Sequence, residues 1–277
     1  MRAADVAHDM NVLAAFLGRR DVAELSQEAL ELRFGFARTD VMALVGGSIL
    51  AGGDVMAQAM RAGVARAYAI VGGAGHTTQA FREKIRELCP DLRFADDACE
   101  ADVFAAYLRS RHGLEVDLLE RGSTNCGNNI TCLRDLLAER GMRCRSLILV
   151  HDASMQLRVE AVARKELPDV VPVSYACHAA RVVAAKGAAG DPLAQLRYED
   201  EPWGMWAPGH YLSLLMGEIP RLRDDAAGYG PNGRDYLAHV DIPDDVLAAF
   251  ARLSEAFPES VRVARRPEAG VGPLRRH

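Results

Sequence analysis

The chain predicts an α/β fold with a parallel sheet covered on both faces. Three observations predict it. Short apolar runs alternate with segments of helical periodicity along most of the 277 residues. The runs are continuously apolar, as in strands buried on both sides. Two of them end in Gly-Gly, at Gly46–Gly47 and Gly72–Gly73, a strand followed by a tight loop.

Residues 5–17 and 21–32 carry apolar residues at helical spacing, with Asp5 and Asp21 placed to cap them. They read as two helices packed on the outside of the main domain. The first strand is DVMALVGGS, from Asp40, followed by a helix at about 54–62. AYAIVGGAGH, 67–76, repeats the layout and leads to a helix over 78–88. Residues 100–112 are helical and stop at Gly113; 115–120 is a third strand. The polar loop RGSTNCGNN enters a helix over 127–140. RSLILVHD, 145–152, is the clearest strand, followed by a helix over 155–166, and DVVPVSY adds one more strand. KGAAGDP reads as a linker, with a short helix near 211–216 beyond it. The last helix spans 243–257, with Pro243 in its first turn. The parts are then N-terminal helices (1–36), a ligand-binding domain (37–186), a smaller, largely helical part (187–260) and a disordered tail (261–277).

Composition narrows the function. Net charge is −5 and basic residues are scattered up to an Arg-rich tail, so no nucleic-acid partner is expected. No run is long and apolar enough to span a membrane, and no export signal opens the chain. The six cysteines form no C-x-x-C pair, so a zinc ribbon or redox pair is not expected, and a cytoplasmic location with reduced thiols is.

Ligands of parallel sheets bind beyond the carboxyl ends of the strands, so the loops there hold the candidates. Gly46, Gly47 and Ser48 form the first. Gly72, Gly73, Gly75, His76, Thr77 and Thr78 form the second. Either is an ordinary turn or a place where backbone N–H groups meet an anion. Neither is a G-x-G-x-x-G or a P-loop. Ser123, Thr124, Asn125, Asn128 and Asn129 are either helix caps or a binding loop; Cys126 among them has no feature of a nucleophile. His151, Asp152, Met155 and Arg158 follow the clearest strand. Arg158 is placed to clamp a carboxylate or phosphate, or to pair with an acid. The 217–235 segment, with Asp224 and Asp225, is a solvated loop or a lid tied down by ion pairs; no metal site is assigned there, because adjacent carboxylates point apart.

STNCGNN, HDASMQLR and above all YLSLLMGEIPRLRDDAAGYGPNGRDYLAHVD resemble the YdcF branch of the family that also contains SanA and ElyC. The likeness covers about 40–241. Gly46–Gly47, Gly72–Gly73, Glu100, Ser123–Thr124–Asn125, Asn128, Asp152, Met155 and Arg158 carry the family core. The resemblance implies a Rossmann-like, doubly wound sheet, a smaller helical C-terminal part and binding of S-adenosylmethionine. His151 and Ala153 depart from the more usual polar residue and Pro around Asp152. The membrane anchors of SanA and ElyC are not expected here. Three functions stay open: an S-adenosylmethionine-dependent transferase of unnamed substrate, a hydrolase or transferase acting on a phosphorylated or envelope-related metabolite, and a non-catalytic small-molecule binding protein.

Overall fold

In the computed structural model the described residues are 1–47, 49–75, 78–185 and 190–261, with Cys126 described by its backbone alone. Ser48, His76, Thr77, the start of the 186–192 linker and the tail from residue 262 lie outside them. The described residues form α1 (Ala3–Leu17), α2 (Gln27–Phe34), β1 (Thr39–Val45), α3 (Ala51–Ala62), β2 (Ala65–Val71), α4 (Thr78–Leu88) and α5 (Glu100–Tyr107). Then come β3 (Leu118–Glu120), α6 (Cys126–Glu139), β4 (Ser146–Val150), α7 (Gln156–Glu166), β5 (Val171–Ser174), β6 (Val182–Ala184), β7 (Leu196–Tyr198), α8 (Pro208–Leu222) and α9 (Asp244–Ala256).

β1 to β5 make one all-parallel sheet in the order β3-β2-β1-β4-β5, a Rossmann-like doubly wound arrangement. The direction of winding reverses between β1 and β4. Their registers align the carboxyl ends: Val45 pairs with Val71, Leu44 with Val150, Val71 with Glu120, and Leu149 with Ser174. The residues that follow the strands therefore share one edge of the sheet.

Alternation along the strands supplies two cores. Val41, Ala43, Val45, Leu147 and Leu149 face one way, against apolar residues of α1, α6, α7, α8 and α9. Met42, Leu44, Tyr68, Ile70, Ile148 and Val150 face the other, against α3, α4 and α5. Both sets are apolar, which is why the runs read as continuous. α5 passes into a single π turn, Leu108–His112, and stops at Gly113, whose φ of 65° suits glycine.

Several local expectations are corrected. The second helix starts at Gln27, not Asp21. Ser26 caps it, its hydroxyl accepting from the Ala29 N–H at 3.1 Å. Asp21 instead accepts from the Ser174 N–H and ties the end of β5. Asp5 lies in the first turn of α1 rather than at its cap. α1 is not an outer helix: Val6, Met10, Leu13 and Leu17 are fully buried, and it packs on α7, α8, α9 and β6. The stripe 6-10-13-17 drives this burial. Arg252 of α9 reaches back to the buried Asp9 carboxylate at 2.6 Å. α8 extends to fifteen residues, and β7 of the C-terminal part pairs antiparallel with β6, which precedes the linker. The segment after α8 is tied down: Asp224 accepts from the Asn232 N–H and from His239, and Lys165 pairs with Asp235. No helix among the described residues is long and apolar enough to cross a membrane.

Candidate functional site

Gly46 and Gly47 end β1 with φ of 58° and 119°, both in the region that favours glycine. A Cβ on Gly46 would lie 3.2 Å from Glu100 Oε2, 3.3 Å from Asn129 Nδ2 and 3.7 Å from His151 Nε2. A Cβ on Gly47 would lie 3.5 Å from Asp152 Oδ1. Groups from the ends of β1 and β4 and the starts of α5 and α6 thus converge at the point where the sheet reverses.

Glu100 opens α5. Its N–H donates to the Gly73 carbonyl at 3.0 Å and the Ala101 N–H to Gly72 at 2.8 Å, pinning the helix start to the loop after β2. The Thr78 hydroxyl donates to Glu100 Oε1 at 3.0 Å. Burial pushes the Glu100 carboxyl up to about 7; the Thr78 bond opposes this and the charge of Asp152 reinforces it. Among the described residues no cation pairs with Glu100.

His151 is fully enclosed. Its N–H donates to Gln156 Oε1, and its Nδ1 accepts from the Asp152 N–H at 2.6 Å. The ring proton is then on Nε2, which turns a donor toward Gly46. Burial, helped by the charges of Arg158 and His178, pushes His151 down to about 3, so the ring is neutral at ordinary pH. Asp152 is buried and accepts from Cys177 Sγ at 3.6 Å. Burial drives the Cys177 thiol well up and, with the charge of Arg20, His178 down to about 4. The Lys84 ammonium lies within reach of the Asp152 charge and donates to the carbonyls of Gly204 and Met205.

The glycine loops differ from an anion cradle. The N–H groups of Gly46, Gly72, Gly73 and Gly75 donate to Val71 O, Glu120 O, Ser123 Oγ and Thr78 Oγ1. Gly73 is required by packing, since a Cβ there would lie 2.0 Å from the Ser123 carbonyl oxygen. The STNCGNN residues mostly serve each other. Asn125 Oδ1 accepts from the N–H groups of Gly127 and Asn128, and Asn128 Oδ1 accepts from those of Thr124 and Asn125, a capping box that starts α6. Thr124 Oγ1 accepts from Asn128 Nδ2 at 3.3 Å. Arg158 turns to α8, where Nε donates to Glu218 Oε2 at 2.5 Å, and its NH2 group also meets Met155 Sδ at 3.0 Å.

Of the candidate residues, Gly46, Gly47, Gly72, Glu100 and Asp152 come together where the sheet reverses. Ser123, Thr124, Asn125, Asn128 and Gly73 build its supporting loops, Met155 and Arg158 join α7 to α8, and His76 and Thr77 lie outside the described residues. Asn129 and His151, grouped above only with their loops, reach the centre. No sequence signal singles out Cys177 and His178, although they follow β5 as the other candidates follow their strands. No family model matches the chain. Fold and site together define an α/β protein with a polar, carboxylate-bearing cluster at the reversal point of a doubly wound sheet.

Proposed function

We propose that the crevice between β1 and β4 binds a cationic nucleoside, S-adenosylmethionine in particular. The observation that carries this reading is the meeting of two carboxylates, Glu100 and Asp152, at the Gly46–Gly47 turn. Carboxylates accept from ribose hydroxyls and from ammonium, and they favour a neighbouring positive charge such as a sulfonium. The Asn129 amide and the His151 Nε2–H add fixed polar groups beside them. The resemblance to the YdcF branch points to the same ligand. The same carboxylates repel a phosphate, and Arg158, the candidate phosphate clamp, is engaged by Glu218. Both facts weigh against a phosphorylated or envelope-related metabolite.

When bound, S-adenosylmethionine supplies an electrophilic methyl group on sulfur. This chain's residues would bind and orient it, and Glu100 would hold or release a proton near neutral pH at its carboxylate. A transferase and a non-catalytic binding protein share such a crevice; formation of S-adenosylhomocysteine with an acceptor marks the transferase.

Calorimetric titration tests the reading. One saturable site for S-adenosylmethionine is expected, weakened at least about tenfold by Glu100→Gln, because a hydrogen bond to a charged group contributes roughly 1.5–3 kcal/mol. S-adenosylhomocysteine, lacking the positive charge, should bind less tightly, and ATP less tightly still. Absence of binding by folded protein, or tighter binding of ATP, would refute the assignment.

A further inference from the structure

Beside the crevice, the loops after β4 and β5 bring Asp152, Cys177 and His178 together. Each offers one ligand atom, and the three atoms lie within 4.8 Å of one another. All three residues are buried. The Cys177 N–H donates to the His151 carbonyl at 2.9 Å, which holds the Cys177–His178 dipeptide against the end of β4. Asp152 Oδ1 and Cys177 Sγ are 3.6 Å apart. Two such ligands on a tetrahedral zinc-class ion, with bonds of about 2.1 and 2.3 Å, are separated by roughly 3.6 Å.

A second observation points to an occupant. His178 Nδ1 and the Tyr211 hydroxyl are both buried without a hydrogen-bond partner. Their rings are neighbours, with centroids 6.0 Å apart, and the Tyr211 phenol is close enough to feel the charges of Cys177 and Asp152. Buried polar atoms in native proteins are bonded to protein, ordered water or an ion. Of the six buried side-chain atoms without a partner among the described residues, His178 Nδ1 belongs to the ligand set itself and the Tyr211 ring lies next to it.

We propose that Asp152, Cys177 and His178 bind one divalent first-row transition ion of the zinc class. Calcium and magnesium take oxygen shells, whereas a mixed carboxylate, imidazole and thiolate set suits zinc or cobalt. Three protein ligands leave a position open, the pattern of zinc sites that hold water or substrate. Asp152 also borders Gly47, so the ion lies in the wall of the crevice. On binding, the Cys177 S–H bond breaks, the S–metal bond forms and one proton leaves to solvent, while the His178 ring proton moves from Nδ1 to Nε2, which gives up its long 3.4 Å bond from the Ala153 N–H.

The inference shares Asp152 with the proposed nucleoside site but does not need the nucleoside. The test uses metal alone, so its failure is distinct from failure of the calorimetric titration. Full-length, untagged protein stripped by chelator is titrated with Co2+, both folded and during refolding. The expected result is one equivalent bound, a thiolate-to-cobalt charge-transfer band, and displacement by Zn2+. Cys177→Ser should abolish the band, His178→Ala should weaken uptake at least about 100-fold, and Cys89→Ser should change neither. A wild-type protein that takes up no cobalt, or binds it without a thiolate band, overturns the proposal and leaves ordered water as the occupant. A band that survives Cys177→Ser overturns it equally. If Cys177→Ser does not fold, the wild-type spectrum still decides.

Discussion

Replacing Glu100 with Gln keeps the shape of the side chain and removes its charge. In the folded chain this carboxyl is pushed up to about 7 from an ordinary 4.5, by burial first and by Asp152 in addition. Between those two values the folded state binds more protons than the unfolded state. The contribution of Glu100 to stability is therefore fully present below about 4.5 and is lost as pH rises through about 7. At about 1.36 kcal/mol per pH unit, the full loss is roughly 3 kcal/mol. The Gln variant does not titrate, and its amide oxygen still accepts from Thr78. It should exceed the wild type by roughly 3 kcal/mol at pH 8 and by only about 1 kcal/mol at pH 5. Urea unfolding at pH 5, 6, 7 and 8 measures this directly. A difference that is constant across the range would refute the reasoning, because it would mean that Glu100 ionises as freely in the folded chain as in the unfolded one. The same ionisation governs the ligand. A cationic ligand needs the carboxylate, so affinity for S-adenosylmethionine should fall about tenfold per pH unit below 7 in the wild type and be flat in the variant.

Two further substitutions separate support from contact. Arg158→Ala leaves the buried Glu218 carboxylate with only its 3.5 Å contact to Arg221 and should cost about 3 kcal/mol in urea unfolding, while Arg158→Met with Glu218→Leu should restore most of it; affinity of that double variant for ATP equal to the wild type's would confirm that Arg158 clamps Glu218 rather than a phosphate. Asn125→Ala removes the acceptor of the α6 capping box and should cost about 1 kcal/mol, with Asn125→Asp near neutral and ligand affinity unchanged in both by calorimetry.

The three strands that the sequence shows best, β1, β2 and β4, are those with neighbours on both sides and helices on both faces, because continuous apolar character is a direct imprint of that environment. β3 is an edge strand, and only Leu118–Glu120 pairs with β2, so its apolar imprint is short. α8 is longer than its periodicity predicts for a different reason. Pro208, Gly209, Gly217 and Pro220 lower its intrinsic propensity, and burial of Tyr211, Leu212, Leu215, Met216 and Ile219 overrides them. Asp21 shows the limit of local signals, since an aspartate before an apolar stripe is equally fit to cap a helix or to accept from a distant strand. The glycine turns were visible as turns. Their partners were not: Arg158 meets an acid 60 residues away, His151 reaches Gly46 only through the register of β1 with β4, and Asn129 reaches it from α6. Only the family resemblance distinguishes Glu100, because an acidic first residue of a helix looks like any other favourable N-terminal charge.

The arrangement has a physical logic that motif searching would not reveal. Residues with the most conspicuous polar pattern, Ser123 to Asn128, are largely consumed in satisfying one another and the N-terminus of α6. What that closed network leaves over is Asn129, fixed at the start of a helix and aimed at the first glycine turn. The Gly73 carbonyl likewise fixes the first residue of α5, and with it Glu100, while Gln156 and the Asp152 N–H fix both the backbone and the ring of His151. Glu100 and His151 are therefore held by hydrogen bonds from the neighbouring loops, which is the condition for polar groups to keep their aim when water is excluded. Such groups are costly to bury, as the upward displacement of Glu100 and the downward displacement of His151 show. Two apolar cores on either side of one sheet offset that cost.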